Sequence, residues 1–133
     1  MCDRTGIRLL VDESYDPATW VASVVPGEGS RCARCIGERL ERVAIEAATQ
    51  GCTAFSTSLS ISPWQDHEAI REQGAAAAAR HGVEFMYEDL RELYPETRQR
   101  SREWGIYRQK YCGCLLSEWE RYRDAPSNGS GLT

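Results

Sequence analysis

The string Thr53-Ala54-Phe55-Ser56-Thr57-Ser58-Leu59, followed by Ser62-Pro63-Trp64-Gln65-Asp66-His67, decides the fold. Its first part mixes β-branched, aromatic and small polar residues, as a strand running into a site does. The second carries a helix start: Ser62 fits the N-cap, Pro63 the first turn and Gln65 the reciprocal capping position. The predicted helix runs through Ile70 and five consecutive alanines, Ala75 to Ala79, and stops at Gly82. Gly74 weakens its middle. Residues 83–87 then read as another short strand, so the string opens a strand–helix–strand unit.

The same alternation holds upstream. Residues 32–50 predict a long helix ended by Gly51, with Ile36, Leu40, Val43, Ala44 and Ala47 as one apolar stripe at helical spacing. Residues 7–11 form a short apolar run and read as a strand. Acidic residues follow, then Pro17 and a short helix reaching Trp20, then a glycine-rich loop over 26–30. Strand, helix, strand, helix, strand is the pattern of an α/β fold. The expectation is a three-layer, Rossmann-like arrangement with a short parallel sheet flanked by helices. Residues 90–102 are polar and helical in part. A last helix starts near Cys114, with Leu115, Leu116, Trp119 and Tyr122 facing inward. Residues 1–124 read as a single domain and 125–133, rich in Pro, Ser, Asn and Gly, as a flexible tail.

A chain of 133 residues, 41% hydrophobic and 27% charged, has the composition of an ordinary soluble domain. No apolar run approaches membrane-spanning length and no apolar leader opens the chain, which argues for a cytoplasmic protein. Six cysteines in a reducing compartment favour metal binding or redox chemistry over structural disulfides. The net charge of −4 gives no support for nucleic-acid binding. Locally, Arg98, Arg100, Arg102, Arg108 and Lys110 cluster before the last two cysteines.

Two short cysteine pairs carry the chemistry. Cys32 and Cys35 stand at the front of the long helix, where exposed N–H groups and the helix dipole favour thiolates. Their spacing serves iron–sulfur clusters, zinc sites and thioredoxin-type dithiols, or marks two unrelated thiols. Cys112 and Cys114 are separated by Gly113. A disulfide across that gap closes a very small, strained ring that reduces easily, which suits electron relay. Metal ligation and inert thiols are the alternatives. Tyr107, Arg108, Gln109 and Tyr111 precede this pair and offer stacking and hydrogen bonding to a base, or simple packing. Asp89 follows the third strand, where α/β proteins place site residues, or caps the next segment. His67 is a proton donor, a ligand or a solvated helix-start histidine. Cys52 reads as a small buried hydrophobe, and Cys2 as incidental.

These residues resemble the cobalamin-independent epoxyqueuosine reductase family. The likeness lies in Arg31-Cys32-x-x-Cys35 with Arg39-Leu40, in Phe55-Ser56-Thr57-Ser58-Leu59, and in Ser62-Pro63-Trp64-Gln65-Asp66-His67. It continues through Tyr87-Glu88-Asp89-Leu90-Arg91 and the string from Gly105 to Cys114. The resemblance implies an iron–sulfur oxidoreductase that converts epoxyqueuosine to queuosine at the wobble position of tRNA. It makes Cys32 and Cys35 two ligands of a [4Fe–4S] cluster, with an additional iron as an option. Cys112 and Cys114 become the redox-active pair. Asp66 and Asp89 become candidates for substrate protonation or for the extra iron. Partners implied are tRNA and an electron donor protein or reductant.

Family members begin with a further strand ending in adjacent cysteines, which Cys2 does not reproduce. The expectation is therefore a domain shortened at its N-terminus, with poor stability. Cys112 and Cys114, or a separate chain, would complete the cluster. The rival readings are a four-cysteine zinc module without catalysis and an inactive remnant.

Overall fold

The computed structural model describes residues 2–123, and the tail expected over 125–133 lies outside them. The chain divides into two compact units. The first comprises Met1–Ser60 and Trp64–Glu88, the second Ile61–Pro63 and Asp89–Thr133.

The first unit is α/β. Helix α1 is a single turn, Cys2–Thr5. Helix α2, Pro17–Val24, begins where Asp16 accepts the Thr19 N–H and Pro17 pre-sets the first turn. Helix α3, Arg31–Thr49, is capped by Ser30. It leads into strand β1, Ala54–Phe55, then a 3₁₀ turn over Ser58–Ile61. Helix α4, His67–His81, returns the chain to strand β2, Glu84–Phe85. The strands are parallel, with Ala54 opposite Glu84 and Phe55 opposite Phe85. Glu84 N–H donates to Thr53 O and Met86 N–H to Phe55 O, both at 2.9 Å. Beyond the last pair, Ser56 Oγ donates to Met86 O at 2.8 Å.

The predicted α/β class and parallel pairing hold, and the strand–helix–strand unit is the one that the string at 53–67 announces. Among the described residues the sheet has two strands rather than three. Residues 7–11 form no ladder, and their side chains stand open, Ile7 65% and Val11 68% exposed. A run with strand composition becomes a strand only where another strand offers it N–H and C=O partners. Here the segment is tied by side chains instead: Arg42 reaches Asp12 and Arg8 reaches Gln50, both on or beside α3.

The helix start also differs. The cap of α4 is Asp66, whose Oδ1 accepts the Ala69 N–H at 3.0 Å, four residues after Ser62. Residues 62–65 form a turn that carries the chain from the 3₁₀ segment to the cap.

Helices α3 and α4 cover the sheet. Ile36, Leu40, Ala44 and Ala47 from α3 meet Ala69, Ile70 and Ala77 from α4 and Phe55 from β1 in one buried cluster. Leu40 and Ile70, essentially inaccessible, each contribute about 1.5–3 kcal/mol by burial. Val43, at the edge of the predicted stripe, is exposed. Glu41 joins the two helices, accepting from Arg80 Nη2 and pairing with His81 Nε2, each at 2.5 Å. These contacts, Arg80 first, hold the Glu41 carboxyl down at about 2.

The second unit contains a 3₁₀ turn, Arg91–Leu93, then α5, Tyr94–Glu103, and α6, Leu115–Tyr122. An irregular segment separates the two helices. Leu115, Trp119 and Tyr122 of α6 are exposed, Trp119 by 60%, and Leu116 is half-buried. The stripe expected to face inward is apolar, yet within the described residues it is not covered.

Candidate functional site

Polar side chains follow the carboxyl ends of the strands, Ser56 after β1 and Tyr87 after β2, where open parallel sheets place site residues. Asp66 and His67 open α4 beside Tyr87, just beyond β2. His67 is 8% exposed, so it is a buried histidine rather than a solvated one. Its Nδ1 lies 2.7 Å from the Tyr87 hydroxyl. The two rings meet edge to face at 6.1 Å, and the Arg71 guanidinium sits 5.1 Å from the Tyr87 ring centre. Asp66 is engaged as the helix cap.

Cys32 and Cys35 occupy the first two turns of α3, with Cys32 exposed and Cys35 half-buried. Positions three apart on a helix place their β-carbons about 5–6 Å from one another, so the thiols share one side of the helix start. Ser30 Oγ accepts the Ala33 N–H between them. Arg34, also between them, binds the loop in front. Its Nε donates to Val24 O at 2.8 Å, Nη1 to Glu28 O at 2.7 Å and Gly29 O at 3.1 Å, and Nη2 to Val25 O at 3.1 Å. Arg34 carried no signal in the sequence, because its partners are backbone carbonyls. Cys52 is exposed rather than buried. Its backbone closes the turn after α3, donating to Ala47 O at 2.8 Å, and its side chain points out of the core.

The second unit holds the other pair. Cys114 is the N-cap of α6, and its Sγ accepts the Ser117 N–H at 3.3 Å. Cys112 is exposed, and all six cysteines are unbridged thiols. Gly113 has φ +99°, and a β-carbon there would lie 2.6 Å from Nε2 of Gln109. The Gln109 amide is therefore laid over the glycine that separates the two thiols. Tyr107, Arg108 and Gln109 are exposed, and Tyr111 is half-buried, edge to face with Tyr122 at 6.1 Å. Burial, then the neighbouring Glu118 and Tyr107, push the Tyr111 hydroxyl up from its ordinary value. Asp89 accepts the Arg91 N–H at 3.1 Å and is gripped by the Arg91 guanidinium, so its carboxylate is engaged in the turn that leads into the next segment.

A four-iron cluster takes four thiolates. Cys32 and Cys35 fit two of those places. Among the described residues, no group of three or more His, Cys, Asp or Glu side chains is gathered that could hold a metal ion. Among the described residues the Cys32/Cys35 pair is thus not joined by a third side chain of that kind.

An α/β unit with a dithiol pair at a helix start, joined in one chain to a second pair at another helix N-cap, has the makings of a thiol-based metal or redox protein. The chain belongs to the epoxyqueuosine reductase QueH family, whose model matches residues 1–120. It is 39% identical over 117 residues to the epoxyqueuosine reductase QueH of Dehalococcoides mccartyi, covering 88% of this chain and 64% of that protein. It is 45% identical over 98 residues to the protein of the same name from Thermotoga maritima, covering 71% and 51%. The Acinetobacter baylyi protein of that name is 34% identical over 128 residues, covering 90% and 58%. The chain therefore spans between about half and two thirds of the length of these relatives. Among the described residues no helix is long and apolar enough to cross a membrane.

Proposed function

We propose that this chain takes part in the reduction of epoxyqueuosine to queuosine at the wobble position of tRNA, in the cytoplasm. The observation that carries the reading is the family match over residues 1–120, a span that includes both cysteine pairs. Removing an epoxide oxygen to leave an alkene consumes two electrons and two protons and yields one water. Oxidation of the Cys112–Cys114 dithiol to a disulfide releases two electrons and two protons, so the pair balances the reaction. An external reductant or electron donor protein restores the dithiol.

In this reading both units serve one reductase domain over residues 1–124. Cys32 and Cys35 hold one side of a [4Fe–4S] cluster, which supplies single-electron transfer when bound. Its remaining ligands are thiolates of a separate chain, which leaves Cys112 and Cys114 to act as the redox pair. Tyr107, Arg108, Gln109 and Tyr111 engage the modified base, the exposed Tyr107 ring by stacking and the Arg108 and Gln109 side chains by donating hydrogen bonds. Asp66 and Asp89 are the carboxyls available for protonation or for a further iron.

The test is anaerobic reconstitution with iron and sulfide, followed by incubation with reductant and tRNA carrying epoxyqueuosine. Queuosine in the digested tRNA, lost in Cys112→Ser and Cys114→Ser, is the expected result. Broad visible absorption lost in Cys32→Ser and Cys35→Ser is expected alongside it. One tightly held zinc with no queuosine formed would favour a zinc module instead.

A further inference from the structure

We infer that Arg34 is the positioning residue of the Cys32/Cys35 pair. This rests on the reading of those two cysteines as metal ligands and adds the device that presents them. The loop over residues 25–30 consists largely of glycine, serine and a proline, and a chain of that composition has many conformations in front of the helix. Four of the carbonyls there and at the end of α2 are instead collected by one guanidinium. The fork of Arg spreads its donors in a plane, so one side chain holds Val24, Val25, Glu28 and Gly29 together.

The anchor is firm at one end, because Val24 is completely buried. It is firm at the other because Arg34 sits within α3, whose next residues Ile36 and Leu40 lie in the core. The clamp joins the end of α2 to the start of α3 across the loop. It fixes the direction in which Cys32 and Cys35 leave the helix and keeps the loop from folding over them. A ligand pair held before the metal arrives loses less freedom on binding. The four carbonyls take four of the five N–H donors of Arg34, so the guanidinium is directed at the loop and acts through it.

Lysine keeps the charge but has one nitrogen, which cannot reach four carbonyls spread around a fork. The experiment compares wild type, Arg34→Lys, Arg34→Ala and, as a control of equal charge loss, Arg42→Ala, which breaks only the exposed link to Asp12. Two quantities are read on the reduced, metal-free full chain: the rates at which Cys32 and Cys35 are alkylated, resolved by mass spectrometry, and the affinity for cobalt(II) alone.

In wild type and Arg42→Ala, Cys32 should label faster than Cys35. In both Arg34 variants the two rates should converge, and cobalt affinity should fall by about 10- to 100-fold, the scale for groups that orient metal ligands. The thermal midpoint of Arg34→Lys should stay close to that of Arg42→Ala. Wild-type labelling and cobalt affinity in Arg34→Lys would overturn the proposal. A wild-type chain that binds no cobalt would remove the ligand reading, and the labelling contrast would still decide the role of Arg34. If the variants do not fold, limited proteolysis of the wild-type chain decides: resistance to a glutamate-specific protease at Glu28 supports the clamp, and cleavage there as fast as in the denatured chain overturns it.

Discussion

Gly74 and Phe85 share a space that one side chain fills: a β-carbon on Gly74 would lie 2.1 Å from Cε1 of the Phe85 ring. The glycine that lowers the helix propensity of α4 is therefore what lets the helix lie on β2. Phe85 also packs at 5.1 Å from Phe55 across the strand pair, so the ring has little room to retreat.

Gly74→Ala tests which effect wins. Propensity alone favours alanine by about 1 kcal/mol. Overpacking in a closed contact costs about 1–3 kcal/mol or more. The expected outcome is net destabilisation, seen as a lower urea midpoint. In a Phe85→Ala background the same substitution should cost less, and the difference is the coupling between the two sites.

Glu41 sets an acid limit on the joint between α3 and α4. Its carboxyl is held at about 2, against an ordinary value of 4.5, by Arg80 and His81. A depressed acid adds stability that is fully present above its unfolded value and lost as the pH falls through its folded one. Stability should therefore decline as pH drops from about 4.5 toward about 2, by equilibrium denaturation at each pH. Glu41→Gln should be less stable at neutral pH and should show a shallower decline in that window.

Asp66 separates a capping role from a protonating one. Asp66→Ala removes the acceptor of the Ala69 N–H and should cost about 1 kcal/mol. Asp66→Asn retains a capping oxygen and should keep nearly all the stability. If the carboxyl also protonates substrate, Asp66→Asn will fold as wild type and lose queuosine formation. Wild-type turnover in Asp66→Asn would leave the residue as a cap alone.

Gly113 should govern how readily Cys112 and Cys114 join. A side chain at φ +99° carries roughly 1–2 kcal/mol of backbone strain, and its β-carbon would press on the Gln109 amide. Gly113→Ala should shift the dithiol–disulfide balance, measured by thiol counting against glutathione mixtures. Gln109→Ala in the same chain should restore only the part due to contact, because the backbone strain remains.

Much of this architecture is legible in local chemistry. Residues 53–59 and 83–87 have strand composition, the segment between them has helical length, and parallel pairing follows from that order. The stripe of Ile36, Leu40, Ala44 and Ala47 is legible for the same reason, since spacing alone defines a helix face. Partner-dependent features are not legible. Residues 7–11 have strand composition and no ladder, because pairing belongs to the neighbour as much as to the strand. Ser62 has the stronger capping sequence, with Pro63 and Gln65 behind it, yet Asp66 caps the helix. Ser60 is buried, with its Oγ donating to Thr57 O, and residues 62–65 are used up in turning the chain. Leu115, Trp119 and Tyr122 declare an apolar face but not what covers it. At the site, both cysteine pairs stand out by spacing. Arg34 does not, and the solvated alternative for His67 is removed only by its burial beside Tyr87.

The bond between His67 and Tyr87 has a mechanical consequence. It latches the entrance of α4 to the exit of β2, so the two ends of the crossover are stitched into a closed loop of chain. Sliding the helix along the sheet, or peeling β2 from β1, must break this stitch as well as the ladder. The residues around Asp66 and those around Tyr87 are thereby made to open as one body, and their amides should exchange with solvent in a shared event rather than in two.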